Sequence, residues 1–112
     1  MENKNNNALV YARVGTGKQC GKSESIVGQI RSCSKQAEKD GYIVAEKISD
    51  SGSANNIRRL GLKKLIDSVR KNKIGMVYVR DHSRLSRNLG DYVSLLNLFA
   101  KHEVELRIVK KN

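Results

Sequence analysis

The chain has 112 residues, with 22 lysines and arginines against 11 aspartates and glutamates, for a formal net charge of +11. That length suits one domain with a modest core, and no apolar run approaches the ~20 residues that a membrane-spanning helix needs. So basic a domain points to a polyanionic partner, nucleic acid first, with solubility charge as the plainer alternative.

Other counts narrow the field further. Met1 to Asn7 is polar and lacks the apolar middle of an export signal, so a disordered tail and a cytoplasmic location are expected. Cys20 and Cys33 make no disulfide framework, and with His82 and His102 far apart a structural zinc site is not expected. Tryptophan is absent and the aromatics are four tyrosines and one phenylalanine. That is no stacking platform for single strands, so contact with the phosphates of double-stranded DNA is the better expectation. There is no proline, repeat or low-complexity linker, and the division expected is a tail over 1–7 and one domain over 8–112.

Ala8 to Ala12 is a short apolar run followed by a two-glycine loop and a helical pattern, which predicts a buried parallel strand. Arg13 stands at its carboxyl end, the edge where open parallel sheets bind ligands. It faces either an anion in the crevice or solvent. Ser23 or Ser25 can cap the helix that follows. Ile26, Ile30, Cys33 and Ala37 form its apolar stripe, and Gly41 is placed to end it in a left-handed conformation.

Tyr42 to Ile48 is the second predicted strand, and Ser49 to Arg58 a polar loop. Leu62, Leu65, Ile66 and Val69 mark a second helix ending near Asn72. Ile74 to Val79 is the third strand and Arg80 to Gly90 a second polar loop. Asp91 caps a third helix carrying Tyr92, Leu95, Leu96 and Phe99, and Val104 to Val109 is the fourth strand. Strand and helix alternate throughout, which predicts an α/β fold: three α/β/α layers around a mainly parallel sheet of four or more strands.

In such a sheet the strand-to-helix loops open on one edge. They carry Arg13, Lys18 and Lys22, then Asp50, Ser53, Arg58 and Arg59, then Arg80, Asp81, Arg84 and Arg87. Cations gathered there call for an anion, and a charge-assisted hydrogen bond is worth about 1.5–3 kcal/mol.

Three phosphate chemistries compete. A nucleotide-binding P-loop would use Gly15 to Lys18 and Gly21-Lys22-Ser23, but the motif spaces its glycine from Gly-Lys-Ser by four residues, and Gly15 and Gly21 are separated by five. Metal-dependent cleavage wants clustered carboxylates, and only Asp50 and Asp81 lie near the edge. Metal-free transfer wants arginines on the phosphate and a hydroxyl nucleophile.

On the third reading the sequence resembles the serine recombinases, a group that includes resolvases, invertases and large serine integrases. Tyr11-Ala12-Arg13-Val14 before Gly15-Thr16, with Gln19 following, looks like their opening. Asp50 with Ser53 matches an Asp-x-x-Ser loop, and Arg59-Leu60-Gly61-Leu62 resembles an Arg-Pro-Gly-Leu turn. Ser83-Arg84-Leu85-Ser86-Arg87 resembles Asp-Arg-Leu-Ser-Arg. The resemblance implies a resolvase-like fold and cleavage of double-stranded DNA through a 5′-phosphoserine link, with no metal or nucleotide cofactor.

It also implies roles. Arg13, Arg84 and Arg87 hold the scissile phosphate and stabilise the transition state. Arg59, Ser53 and Asp50 support the site, and Gln19 orders the loop. Lys18 and Arg58 join Arg13, Arg59, Arg84 and Arg87 as DNA contacts. The nucleophilic serine of the family falls where this chain has Gly15, and removing a nucleophile can cost on the order of 10⁶ in turnover; no strand cleavage is expected as written. Ala54, Leu60 and Ser83 are further departures, the last removing a carboxylate beside Arg84. The family's long dimerisation helix and separate DNA-binding domain, which make its dimers and tetramers, are not expected within these residues. The alternative is a catalytically silent DNA-binding or regulatory relative.

Overall fold

The computed structural model describes residues 5–15, 24–51 and 60–110. Among these residues four strands and three helices alternate: β1 Asn7–Val14, α1 Ile26–Lys39, β2 Ile43–Ser51, α2 Leu60–Arg70, β3 Met76–Val79, α3 Leu89–Lys101 and β4 Glu105–Ile108, with a 3₁₀ turn at His82–Arg84 before α3. The strands form one sheet in the order β2-β1-β3-β4, and every pairing is parallel.

The apolar run that opens the chain is its centre. Ala8 to Ala12 are fully buried, and alternate side chains serve two cores, as the pleat demands. Ala8 and Val10 join Cys33 and Ala37 of α1, with Met76 and Tyr78 of β3, on one face. Leu9 and Tyr11 join Leu65 and Val69 of α2 and Leu95 and Phe99 of α3 on the other. Helices thus cover both faces, and Cys33 is core as its place in the stripe predicts. Burial pushes its thiol up to about 12, with Arg80 opposing and Glu24 adding.

All three helices end in the same way. The N–H of Gly41 reaches Glu38 O while that of Tyr42 reaches Ala37 O; Asn72 and Lys73 repeat this on Val69 and Ser68, and Glu103 and Val104 on Ala100 and Phe99. This is the double bond of a Schellman turn. It puts the turn residue in the left-handed region, at φ 88° for Gly41, 57° for Asn72 and 59° for Glu103. Glycine takes that conformation without cost, asparagine with little, glutamate with more.

Several boundaries differ from those read in the sequence. β2 runs on to Ser51, because its parallel register with β1 continues to Val14; Asp50 is therefore a strand residue and not a loop residue. β3 begins at Met76 and not Ile74. The N-cap of α3 is Asn88, whose side chain accepts from Asp91 N, leaving Asp91 in the first turn. Ser25 is the cap of α1.

Candidate functional site

The strand order creates a switch point. From β1 the chain crosses by α1 to β2 on one side, whereas from β3 it crosses by α3 to β4 on the other. The segments leaving the carboxyl ends of β1 and β3 therefore diverge, and open α/β sheets bind ligands in the crevice so formed. Arg13 and Gly15 lie at the first of these ends, and the turn His82–Arg84 follows the second.

Arg13 is 3% exposed. This removes the solvated alternative. Its Nε donates to the carbonyl of Arg84 at 3.1 Å and its Nη2 to the carbonyl of Ser83 at 2.8 Å. In return, Arg84 Nη1 donates to the carbonyl of Arg13 at 3.0 Å. Each arginine thus grips the other's backbone, and strand end and turn form one clasp.

A residue not singled out in the sequence closes that clasp from the other side. Gln29 of α1 is fully buried. Its Oε1 accepts from Arg13 N at 3.2 Å, and its Nε2 donates to Arg13 O at 3.0 Å and Glu24 O at 2.9 Å. β3 pairs with β1 only from Ala8 to Val10, so the Gln29 amide serves backbone groups of Arg13 beyond the reach of that ladder. Buried peptide groups must be paired. The signal was available: Gln29 falls on the apolar stripe of α1, four residues before Cys33, where an unpartnered amide would be costly.

Asp50 does not point at Arg13, its register partner in the neighbouring strand. Its Oδ1 accepts from Gly61 N at 2.7 Å, and its Oδ2 from Leu62 N at 2.9 Å and from the Tyr11 hydroxyl at 2.6 Å. An anion on first-turn amides matches the helix dipole, so Asp50 works as a cap for α2 supplied from another element. Gly61 permits it. A Cβ there would stand 2.8 Å from Asp50 Oδ1, from Ile48 Cγ2 and from the backbone oxygen of Ser49.

Arg80 also departs from the expected crevice. Its Nε is 2.6 Å from Glu24 Oε1, its Nη1 donates to the carbonyl of Val109 at 2.5 Å, and its side chain is 8% exposed. It ties the end of β3 to the start of α1 and the end of β4. Asp81 caps the 3₁₀ turn: its Oδ1 accepts from Ser83 N at 3.0 Å and from the Ser83 hydroxyl, and its Oδ2 is 3.3 Å from Arg84 Nε. Burial works against its charge, but the Ser83 hydroxyl and then the Arg84 guanidinium outweigh this and hold the carboxyl below the usual value. Arg87 is exposed three residues further on.

The structure thus brings Arg13 and Arg84 together beside Gly15 and assigns Asp50 to α2. Lys18, Gln19, Lys22, Ser53, Arg58 and Arg59 lie outside the described residues. Among the described helices none is long and apolar enough to cross a membrane.

Known proteins agree with the topology. Residues 8–112 match the family model described as resolvase, N-terminal domain. The structure is similar to the C-terminal catalytic domain of ISC1926 TnpA, an IS607-like serine recombinase, with 29% identity and a TM-score of 0.80 over 92% of this chain and 67% of that one. It is similar to the N-terminal catalytic domain of TP901-1 integrase, with 28% identity and a TM-score of 0.82 over 92% and 77% of the two chains. A serine recombinase from Sulfolobus solfataricus shares 26% identity at a TM-score of 0.74, over 94% and 71%. With a family model matched along nearly its whole length and a parallel sheet shared with serine recombinase catalytic domains, the chain belongs to the resolvase N-terminal domain family.

Proposed function

We propose that this chain is the DNA-binding, phosphoryl-transfer core of a site-specific recombination system, and that as written it does not cut DNA. In the reaction, a serine hydroxyl at position 15 would attack a backbone phosphate and form a phosphoserine link, releasing the sugar oxygen as leaving group. Reversal on a new strand end would rejoin the DNA. The balance needs no metal or nucleotide cofactor, because the arginines supply the charge that the transition state calls for. Here Gly15 offers no hydroxyl, so binding remains and transfer does not.

The observation that carries this reading is the clasp of Arg13 and Arg84 at the switch point, adjoining Gly15. Arg87, exposed beyond the same turn, adds charge at that edge, and the net charge of +11 suits a DNA partner. Asp50, Ser53, Arg59 and Gln19 complete the proposed support, with Lys18 and Arg58 as further phosphate contacts. The working form is a homodimer or tetramer of a longer protein in the cytoplasm. Alone, this domain binds duplex DNA weakly and with strong salt dependence.

The test is Gly15→Ser, joined to the dimerisation helix and DNA-binding domain of a related integrase and incubated with that integrase's site. Covalent protein–DNA adducts resistant to detergent are expected, and the Gly15 form should give none. Failure of the serine form to yield adducts, while it still binds the site, would favour a silent DNA-binding relative. Gly15 itself is the observation that keeps that second reading alive.

A further inference from the structure

The turn between β3 and α3 carries a carboxylate that the recombination reading does not use. Asp81 is extended at φ −160° and ψ 164° and precedes the 3₁₀ turn. One of its oxygens is held by the amide and hydroxyl of Ser83. This leaves the other aimed at Arg84, 3.3 Å from Nε. Arg84 is gripped at its opposite end, where Nη1 donates to the Arg13 carbonyl. Asp81 acts on Arg84 Nε as an ion pair and not as a hydrogen bond; with Nη1 held on the Arg13 carbonyl, the Asp81 charge biases the rotation left to the planar guanidinium. The Arg84 side chain is 14% exposed, against 44% for Asp81.

We propose that Asp81 is the positioning residue for Arg84: with Ser83 as the latch that sets its rotamer, it supplies from two residues upstream the carboxylate that Ser83 removes from the resemblance pattern, and so presents Arg84 to a DNA phosphate in one orientation. The proposal rests on the reading of Arg84 as a phosphate contact. It gives Ser83 a function: its hydroxyl selects which Asp81 oxygen serves the turn and which serves the arginine. Capping alone requires only an acceptor at Oδ1, whereas positioning requires charge at Oδ2, and the two demands can be separated.

The separating variant is Asp81→Asn, whose amide oxygen still accepts from Ser83 N. The whole chain is labelled with ¹⁵N, and the Arg84 Nε–Hε signal is identified by its loss in Arg84→Lys. It is then followed during titration with a short DNA duplex and, separately, with inorganic phosphate. In the wild-type chain a displaced, exchange-protected Arg84 signal should respond to both. In Asp81→Asn that signal should move away from its wild-type position while staying protected by burial, and apparent DNA affinity at Arg84 should weaken about fivefold, as for loss of a charged contact in a partly exposed pair. The melting temperature should hardly move. The double variant Asp81→Asn/Ser83→Asp, which returns a carboxylate beside Arg84, should recover both signals. Either an Arg84 signal and titration unchanged in Asp81→Asn, or no recovery in the double variant, overturns the proposal alone. A wild-type Arg84 that ignores both duplex and phosphate overturns the phosphate reading and the proposal with it, even if its position still depends on Asp81.

Discussion

Replacing Gly61 by alanine tests how α2 is seated on the sheet. The added methyl would meet three atoms at 2.8 Å: Asp50 Oδ1, Ile48 Cγ2 and the backbone oxygen of Ser49. Carbon–carbon contacts are favourable only at about 3.5–4.0 Å. The Ser49 oxygen belongs to a strand paired along its length with β1, so it cannot move alone. Relief must come from shifting α2 outward or rotating Asp50 away. The first costs about 1–3 kcal/mol as overpacking. The second leaves the amides of Gly61 and Leu62 and the Tyr11 hydroxyl without their shared carboxylate, at about 1.5–3 kcal/mol for hydrogen bonds to a charged group. Against this stands the helix preference of alanine over glycine, about 1 kcal/mol. The net expectation is a loss of about 1–2 kcal/mol, or a fall in melting temperature of about 4–12 °C for a domain near this size. Urea denaturation followed by far-ultraviolet circular dichroism measures it. Gly61→Ala as stable as the parent, or more so, would show that the Asp50 cap and the close approach it needs do not hold α2 in place.

Two further substitutions test the frame around the site. Gln29→Leu keeps much of the volume but leaves the N–H of Arg13 without its acceptor, while the C=O keeps Arg84 Nη1; a loss of about 1–3 kcal/mol is expected, as for one stranded buried group, measured by denaturant titration, and a loss below about 0.5 kcal/mol would refute the pairing role (roughly the size of an ordinary surface change). Glu103→Gly removes a left-handed strain costing about 1–3 kcal/mol but frees the unfolded chain by about 0.4–1 kcal/mol, so a net stabilisation centred on about 1 kcal/mol, and at most about 2.5 kcal/mol, should appear as a higher melting temperature. A drop instead would mean that the glutamate side chain does more there than occupy the turn.

The alternation of strands and helices was legible because each buried run is short, apolar and closed by polar residues. Gly41 is legible for a similar reason, as a glycine four residues past Ala37, the last residue of the apolar stripe. The errors fall where long-range pairing decides. Nothing local in Ser49-Asp50-Ser51 says strand; only the register with Ala12, Arg13 and Val14 makes it one. The same extension turns Asp50 from a loop carboxylate into a cap for a helix that starts ten residues later. Asn88 won over Asp91 as the cap of α3 because both are good N-caps, and the turn before them decided between them. A charged Arg13 at the end of a buried strand marks the position as unusual, but its partners are the carbonyls of Ser83 and Arg84, some seventy residues away. No spacing rule reaches that far. Gln29 shows in the sequence as a polar residue on an apolar stripe, but its partners lie on β1 and on the segment before the helix.

The matching turns at Gly41, Asn72 and Glu103 divide the labour between the two rims of the sheet. At one rim every return from helix to strand is made by the same small joint. At the other, the exits differ in length and chemistry, and there the arginines collect. A designer could therefore exchange or lengthen the exits to alter what the molecule grips, leaving the joints below as a standard chassis.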